Sequence, residues 1–226
     1  MINRLTRRVL LFVAVSFIGS SVAHPNAIED RFVKAGLVDV SSVDPTIAVD
    51  LVNADAEKNF FKKNFYGDLT KAYIRGAVAH KLSRAQKNLK KKQPGYSLQI
   101  LDGARPQSVS RAMYEKMKGT GFEKYVAHPD KGSMHNYGIA VDITIIDATG
   151  KKLDMGPTPF YKSTWQIYWQ YALMKFGKKI TDKQKCNRKL LTDVMVEAGF
   201  YTLSHEWWHF NGEQKEQVRQ RYEIVE

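Results

Sequence analysis

The sequence predicts a single α+β domain with a central antiparallel sheet flanked by helices. Three observations carry this. Helix-like and strand-like stretches do not alternate as strand–helix–strand units, which argues against a doubly wound parallel sheet. Residues 138–146 (GIAVDITII) are rich in β-branched side chains and form the strongest strand signal in the chain. The 226 residues are 43% hydrophobic and 26% charged, enough for one well-filled core and short for two.

The N-terminal stretch stands apart from that domain. Arg4, Arg7 and Arg8 precede an apolar run over residues 9–18, and Gly19, Ser20, Ser21, Val22 and Ala23 follow. Small residues stand at the two positions a signal peptidase reads, so residues 1–23 are expected to be a secretory signal peptide and 24–226 the mature domain. The apolar run is about half of the ~20 residues a membrane span requires. No Cys stands at the cleavage point, so no anchor is expected after cleavage. The expected location is periplasmic or secreted, in a bacterium. Cleavage removes three Arg and no acid, which lowers the formal net charge from +12 to +9. In that compartment the expected neighbour of a basic protein is an anionic cell-wall polymer, with no specific nucleic-acid partner.

Along the mature chain, residues 24–50 read as an irregular entry segment with one short strand. Residues 60–66 are aromatic and end in a Gly67-Asp68 turn. Over 70–91, Ala72, Ile74, Ala77, Ala79, Leu82, Ala85 and Leu89 recur mostly at three and four, which predicts a helix. Its last residues run into Lys90, Lys91 and Lys92, a basic end that complements the helix dipole. Residues 96–101 alternate as a strand, and 107–118 read as a helix. Residues 161–176 and 182–198 read as helices too, and 200–210 as a short aromatic strand. The single cysteine, Cys186, excludes an internal disulfide and a thiolate zinc site.

Two stretches carry chemistry. The first is Ser133–Asp142 (SMHNYGIAVD). It sets His135 before a turn and Asp142 inside a strand that is otherwise largely apolar. A buried carboxylate is costly unless it is paired or bound to a metal. The second is Ser204–Asn211 (SHEWWHFN), which contains a literal H-E-x-x-H. As a helical zinc motif it would place His205 and His209 on one face and need a third ligand downstream. Only 17 residues follow His209, and Trp207, Trp208 and Phe210 do not favour helix. The other reading joins both stretches. His135, Asp142 and His209 make a two-histidine, one-carboxylate set with a fourth position left for water, as a catalytic zinc site requires. Glu206 would then take the proton from that water. In a regular strand residues three apart face opposite ways, so a bulge near Trp207-Trp208 must bring Glu206 and His209 together.

The pattern Ser133-x-His135-x-x-Gly138-x-Ala140-x-Asp142, followed by Glu206-Trp207-Trp208-His209, resembles the VanX-type D-alanyl-D-alanine dipeptidases. These are zinc peptidases of the hedgehog/D,D-peptidase fold. Asp102-Gly103-Ala104-Arg105-Pro106 is similar to that family's D-G-x-R-P, and Asn187-Arg188 and Ala198-Gly199-Phe200 also resemble it. The resemblance runs over roughly residues 38–211 and is strong at the motifs. It implies one zinc ion held by His135, Asp142 and His209, with Glu206 as general base and then acid. It implies that Arg105 stabilises the oxyanion and that Ser133 helps hold the substrate carboxylate. The implied reaction is hydrolysis of D-Ala-D-Ala to two D-alanines.

One position departs from the family. Tyr161 stands where the family carries the Asp that binds the dipeptide's free amine, and a phenol cannot supply that charge. Either Asp154 compensates, or the pocket takes a longer peptide and the enzyme is a zinc D,D-carboxypeptidase acting on peptidoglycan stems. A module that only binds cell wall would need neither Glu206 nor Arg105.

Overall fold

The structure is a computed structural model that describes residues 27–120, 127–156, 180–204 and 206–226. The expected signal peptide, the expected helix over 161–176, Tyr161 and His205 lie outside the described residues.

The main sheet has five strands: β2 (Ala48–Val49), β4 (Ser97–Asp102), β5 (Ala140–Ile146), β6 (Tyr201–Leu203) and β7 (Glu206–Asn211). Their order is β2-β4-β5-β7-β6. Pairs β4–β5, β5–β7 and β6–β7 are antiparallel, as expected, while the edge strand β2 runs parallel to β4. The reason lies in the connection. The chain between β2 and β4 passes through helix α3 (Gly76–Lys92), and a helical crossover returns a strand in its original direction. Strands β1 (Leu37–Asp39) and β3 (Tyr73–Arg75) form a separate antiparallel pair.

The register divides the main sheet into two chemically different faces. Leu98 pairs with Ile145, Ile100 with Ile143, and Val141 with Phe210. All six side chains are buried and belong to one core with Val78, Ala79, Leu82, Ala85 and Leu89 of α3. The period-two alternation of the strands puts the other residues on the opposite face. That face carries Gln99, Asp102, Asp142, Thr144, His209 and Asn211. A one-residue irregularity between Ile100 and Asp102 lets Asp102 face Asp142, which in turn pairs with His209. Three ionisable residues thus stand in one row across three strands.

Helix α4 (Gln107–Met117) and helix α5 (Asp182–Glu197) follow the expectation within one residue. The C-terminal tail holds α6 (Lys215–Arg221), seated by the buried Val218. Two expectations change. The helix read over 70–91 starts only at Gly76, because Tyr73, Ile74 and Arg75 pair with β1 instead. Tertiary pairing of aromatic and β-branched residues overrides a helical spacing there. The entry segment is more regular than it reads: α1 (Ala27–Lys34) buries Phe32, and α2 (Val40–Val43) is capped by the Asp39 side chain. Elements this short leave too few residues for a periodic signal. Among the described residues no helix is long and apolar enough to cross a membrane, and Cys186 is exposed.

Asp50, just after β2, ties two distant lysines to the sheet edge. Its carboxylate accepts from Lys58 Nζ at 2.6 Å and Lys152 Nζ at 2.7 Å, and its side chain is 19% exposed. Burial pushes its pKa up, but the two ammonium groups outweigh this and hold it below the usual value. Such a group stabilises the fold above its unfolded pKa, roughly 3.9, and the stabilisation is lost as pH falls through the folded value. The Asp50→Asn variant should therefore lower the urea midpoint at pH 7, and by progressively less below about pH 4. An equal loss at both ends would refute the ion-pair account.

Candidate metal centre

His135 sits on a single 3₁₀ turn, Met134–Tyr137. The turn is tightly specified. Ser133 Oγ accepts from the His135 N–H at 3.3 Å, and the Asn136 side chain accepts from the Ser133 N–H at 2.6 Å. Asn136 Nδ2 donates in turn to the Arg105 carbonyl at 2.8 Å and to Ser110 Oγ at 2.9 Å. Gly138 closes the turn at φ 68°, and a Cβ there would lie 2.6 Å from Leu37 Cδ2, so both backbone and packing require glycine. Asp142 comes from β5 and His209 from β7, cross-strand partners on the polar face.

These three side chains converge, and each is buried. His135 Nε2 lies 3.2 Å from His209 Nδ1 and 3.3 Å from Asp142 Oδ1. His209 Nδ1 lies 3.1 Å from the same Asp142 oxygen. The outer ring nitrogens assign the tautomers. His135 Nδ1 donates to the Gly103 carbonyl at 2.7 Å, which leaves Nε2 bare. His209 Nε2 donates to Asn211 Oδ1 at 2.9 Å, which leaves Nδ1 bare. With these tautomers the three inner atoms are lone pairs that face one another, an arrangement that repels unless a metal ion or a proton joins it. Four-coordinate zinc, with bonds of 2.0–2.1 Å, separates its ligand atoms by about 3.3 Å. The observed triangle and its N, N, O donor set fit that ion, and the outer hydrogen bonds hold both imidazoles in ligating orientation.

Electrostatics agree. Burial pushes the Asp142 carboxyl up, but the imidazoles of His135 and His209 outweigh it and hold the carboxyl far below its usual range. Burial pushes His209 down, and the Asp142 carboxylate more than reverses this, so its pKa is raised. The carboxylate is anionic, and a positive charge beside it, on an imidazole or on a bound ion, is favoured.

Glu206 and His209 are brought together by the bulge that the spacing demands. Thr202 pairs with Phe210, but the next pair is Leu203 with Glu206. Strand β6 thus advances one residue while β7 advances four. The detour carries Glu206 Oε2 to 3.9 Å from His209 Nδ1. Residues 206–211 are strand, so the helical H-E-x-x-H reading fails for want of a helix. Glu206 is less buried than the cluster, with its side chain 25% exposed. It lines an open cleft of about 300 Å³ together with Arg188, Thr192, Thr202, Ser204 and Trp207.

Arg105 lies just past β4. Its N–H donates to the His135 carbonyl at 3.0 Å. Its Nε and Nη2 bind Asp102 Oδ2, the former at 3.1 Å. Burial lowers the pKa of this guanidinium, and the Asp102 charge more than compensates, so it stays a cation. Ser133 spends its acceptor lone pair on the turn. Asp154, the residue considered as a substitute for the missing carboxylate, is exposed and accepts from the Gly156 N–H at 2.9 Å and from Gln184 Nε2 at 3.0 Å. That engagement commits it to the start of α5.

Sequence reasoning missed the partners that orient the ligands. Asn211 was findable, since in a strand it shares a face with His209 two residues earlier. Gly103 acts through its carbonyl, which no sequence pattern reports.

Comparison with known proteins bears on this site. A family model for peptidase M15, described as D-ala-D-ala dipeptidase, matches residues 33–226. A D-alanyl-D-alanine dipeptidase of Escherichia coli (strain K12) is 29% identical over 177 residues, covering 77% of this chain and 83% of that one. A D-alanyl-D-alanine dipeptidase of Synechocystis sp. is 25% identical over 168 residues, covering 61% and 68%. Among solved structures, the LdcB LD-carboxypeptidase is similar at TM-score 0.40 and 19% identity, over 66% of this chain and 63% of that one.

Proposed function

This chain belongs to the peptidase M15 family of D-Ala-D-Ala dipeptidases, and we propose that it hydrolyses D-Ala-D-Ala to two D-alanines in the bacterial cell envelope, using one zinc ion held by His135, Asp142 and His209. The observation that carries this is the triangle of three bare donor atoms, 3.1–3.3 Å apart, with a carboxylate oxygen 3.9 Å from one of them.

The chemistry that a bound zinc ion supplies is Lewis-acid polarisation of the scissile carbonyl and activation of water. Glu206 takes a proton from the attacking water as its oxygen bonds to the carbonyl carbon. The same carboxyl then returns the proton to the amide nitrogen as the C–N bond breaks. Arg105 presents its guanidinium to the carbonyl oxygen as negative charge develops, a contribution of about 3–4 kcal/mol for one donor in comparable sites. Ser133, whose O–H hydrogen is free of the turn it caps, contributes a donor for the substrate carboxylate.

A second reading has one observation in its favour. Tyr161 replaces the carboxylate that the family uses for a free amine, and Asp154 is occupied at the start of α5. A site without that charge suits a substrate lacking a nearby ammonium, which describes the end of a peptidoglycan stem. The test is D-alanine release by the zinc-loaded mature protein, offered free D-Ala-D-Ala beside a stem pentapeptide ending in D-Ala-D-Ala. Release from the dipeptide is the expected result. Release only from the pentapeptide would replace the dipeptidase by a D,D-carboxypeptidase, and release from neither would overturn both.

Export rests on Arg4, Arg7, Arg8 and the apolar run of residues 9–18. N-terminal sequencing of the exported protein should begin at His24. In the envelope, the excess of basic residues favours contact with anionic cell-wall polymer.

A further inference from the structure

We propose that Tyr66, assisted by Asn53, is a positioning residue for this reaction, acting through Asp102 to aim the Arg105 guanidinium. The inference rests on the hydrolytic reading above. Asp102 is fully buried, and a buried carboxylate must be satisfied by hydrogen bonds. Its two oxygens divide the donors. Oδ1 accepts from the Tyr66 O–H at 2.7 Å and from the Gly103 N–H at 3.0 Å. Oδ2 accepts from Asn53 Nδ2 at 2.9 Å and from Arg105 through Nε and Nη2. Tyr66 and Asn53 reach Asp102 from 36 and 49 residues earlier in the chain, out of the segment before β3. Burial and the Asp102 charge push the Tyr66 phenol well above its usual pKa, so it is a permanent donor.

Geometry makes this more than a buried polar cluster. The Arg105 backbone is already fixed, because its N–H binds the His135 carbonyl and its own carbonyl receives Asn136 Nδ2. The carboxylate of Asp102 is what remains to set the guanidinium. Two of its edges are held from the far side by Tyr66 and Asn53, so it cannot turn about its last torsion without losing a buried hydrogen bond. The Tyr66 hydroxyl also stands beside the guanidinium itself, whose charge partly offsets the rise in the phenol's pKa, so the ring meets the same cation that Asp102 aims. The next residue after Asp102, Gly103, binds His135 Nδ1. One short loop therefore orients both a metal ligand and the cation, and Tyr66 anchors it from a remote segment.

The test is Tyr66→Phe, which removes one oxygen and keeps the buried ring. With D-Ala-D-Ala, kcat should fall about 10- to 100-fold while KM and the one metal ion per chain stay unchanged. In an Arg105→Ala background the same change should cost nothing further, since the two residues act as one unit. The Arg105 Nε–H resonance, followed by ¹⁵N NMR, should broaden or shift in Tyr66→Phe. An unchanged kcat, or a loss that persists in the Arg105→Ala background, would overturn the positioning role. If the wild type releases no D-alanine, the hydrolytic reading falls. The resonance still decides this inference, because an Nε–H signal identical in wild type and Tyr66→Phe overturns it.

Discussion

Replacing Glu206 with glutamine should lower kcat by about 10²–10⁴-fold, the usual contribution of a positioned general acid–base group. Metal content should stay at one ion per chain. The separation of these two readouts follows from geometry. Glu206 Oε2 lies 3.9 Å from His209 Nδ1, close enough to act on a water in the fourth position, yet it is not one of the three converging donors. Its side chain is 25% exposed and lines the open cleft, so an amide in its place leaves the buried cluster intact. An amide offers no basic oxygen, so the proton of the attacking water has no acceptor and the leaving nitrogen has no donor. Metal analysis beside steady-state kinetics decides the matter. Turnover preserved in the variant would sink the assigned role, and loss of the ion would make Glu206 a ligand.

The second large effect concerns the choice between the two zinc motifs. His209→Ala should weaken metal binding by more than the 10- to 100-fold typical of losing a mere outer partner, and abolish turnover with it. His205→Ala should retain the ion. The first expectation rests on His209 Nδ1, which is 3.1 Å from Asp142 and 3.2 Å from His135 and is kept bare by Asn211. The second rests on β7, because residues 206–211 run as strand and do not form the helix that the H-E-x-x-H reading needs. Competition with a chromogenic chelator measures both. Loss of the ion in His205→Ala would restore the H-E-x-x-H reading despite the strand.

Much of the candidate site is legible in the residues alone. His135 stands before a glycine turn, Asp142 interrupts an apolar strand, and Glu206 precedes His209 by three. Each of these is a local departure from a regular pattern, and a costly residue in an apolar run signals a partner. The strand over 138–146 and the helix over 182–198 were legible for the same reason. Their side-chain periods are long enough to read. Even the bulge in β7 followed from the chemistry, since two groups meant to cooperate sat on opposite faces of an ideal strand.

Other features have no local signature. Strand β3 was hidden inside a helical spacing, because its partner β1 lies more than thirty residues earlier and its pairing depends on contacts that the spacing does not encode. The parallel edge β2 depends on where a crossover helix lands. Tyr66 reads as one more aromatic before a turn and no pattern singles out Asn53, yet both close on Asp102 across 36 and 49 residues. By itself, then, the sequence determined which three residues to look for as a cluster, the fold class and the elements with clear periodicity. Tertiary structure alone decided the register that lines up Asp102, Asp142 and His209, the tautomers of both histidines, and the remote hydrogen bonds that hold Arg105. The physical reason is that residue type and spacing record local geometry, whereas a hydrogen bond between distant segments exists only once packing has brought them within about 3 Å.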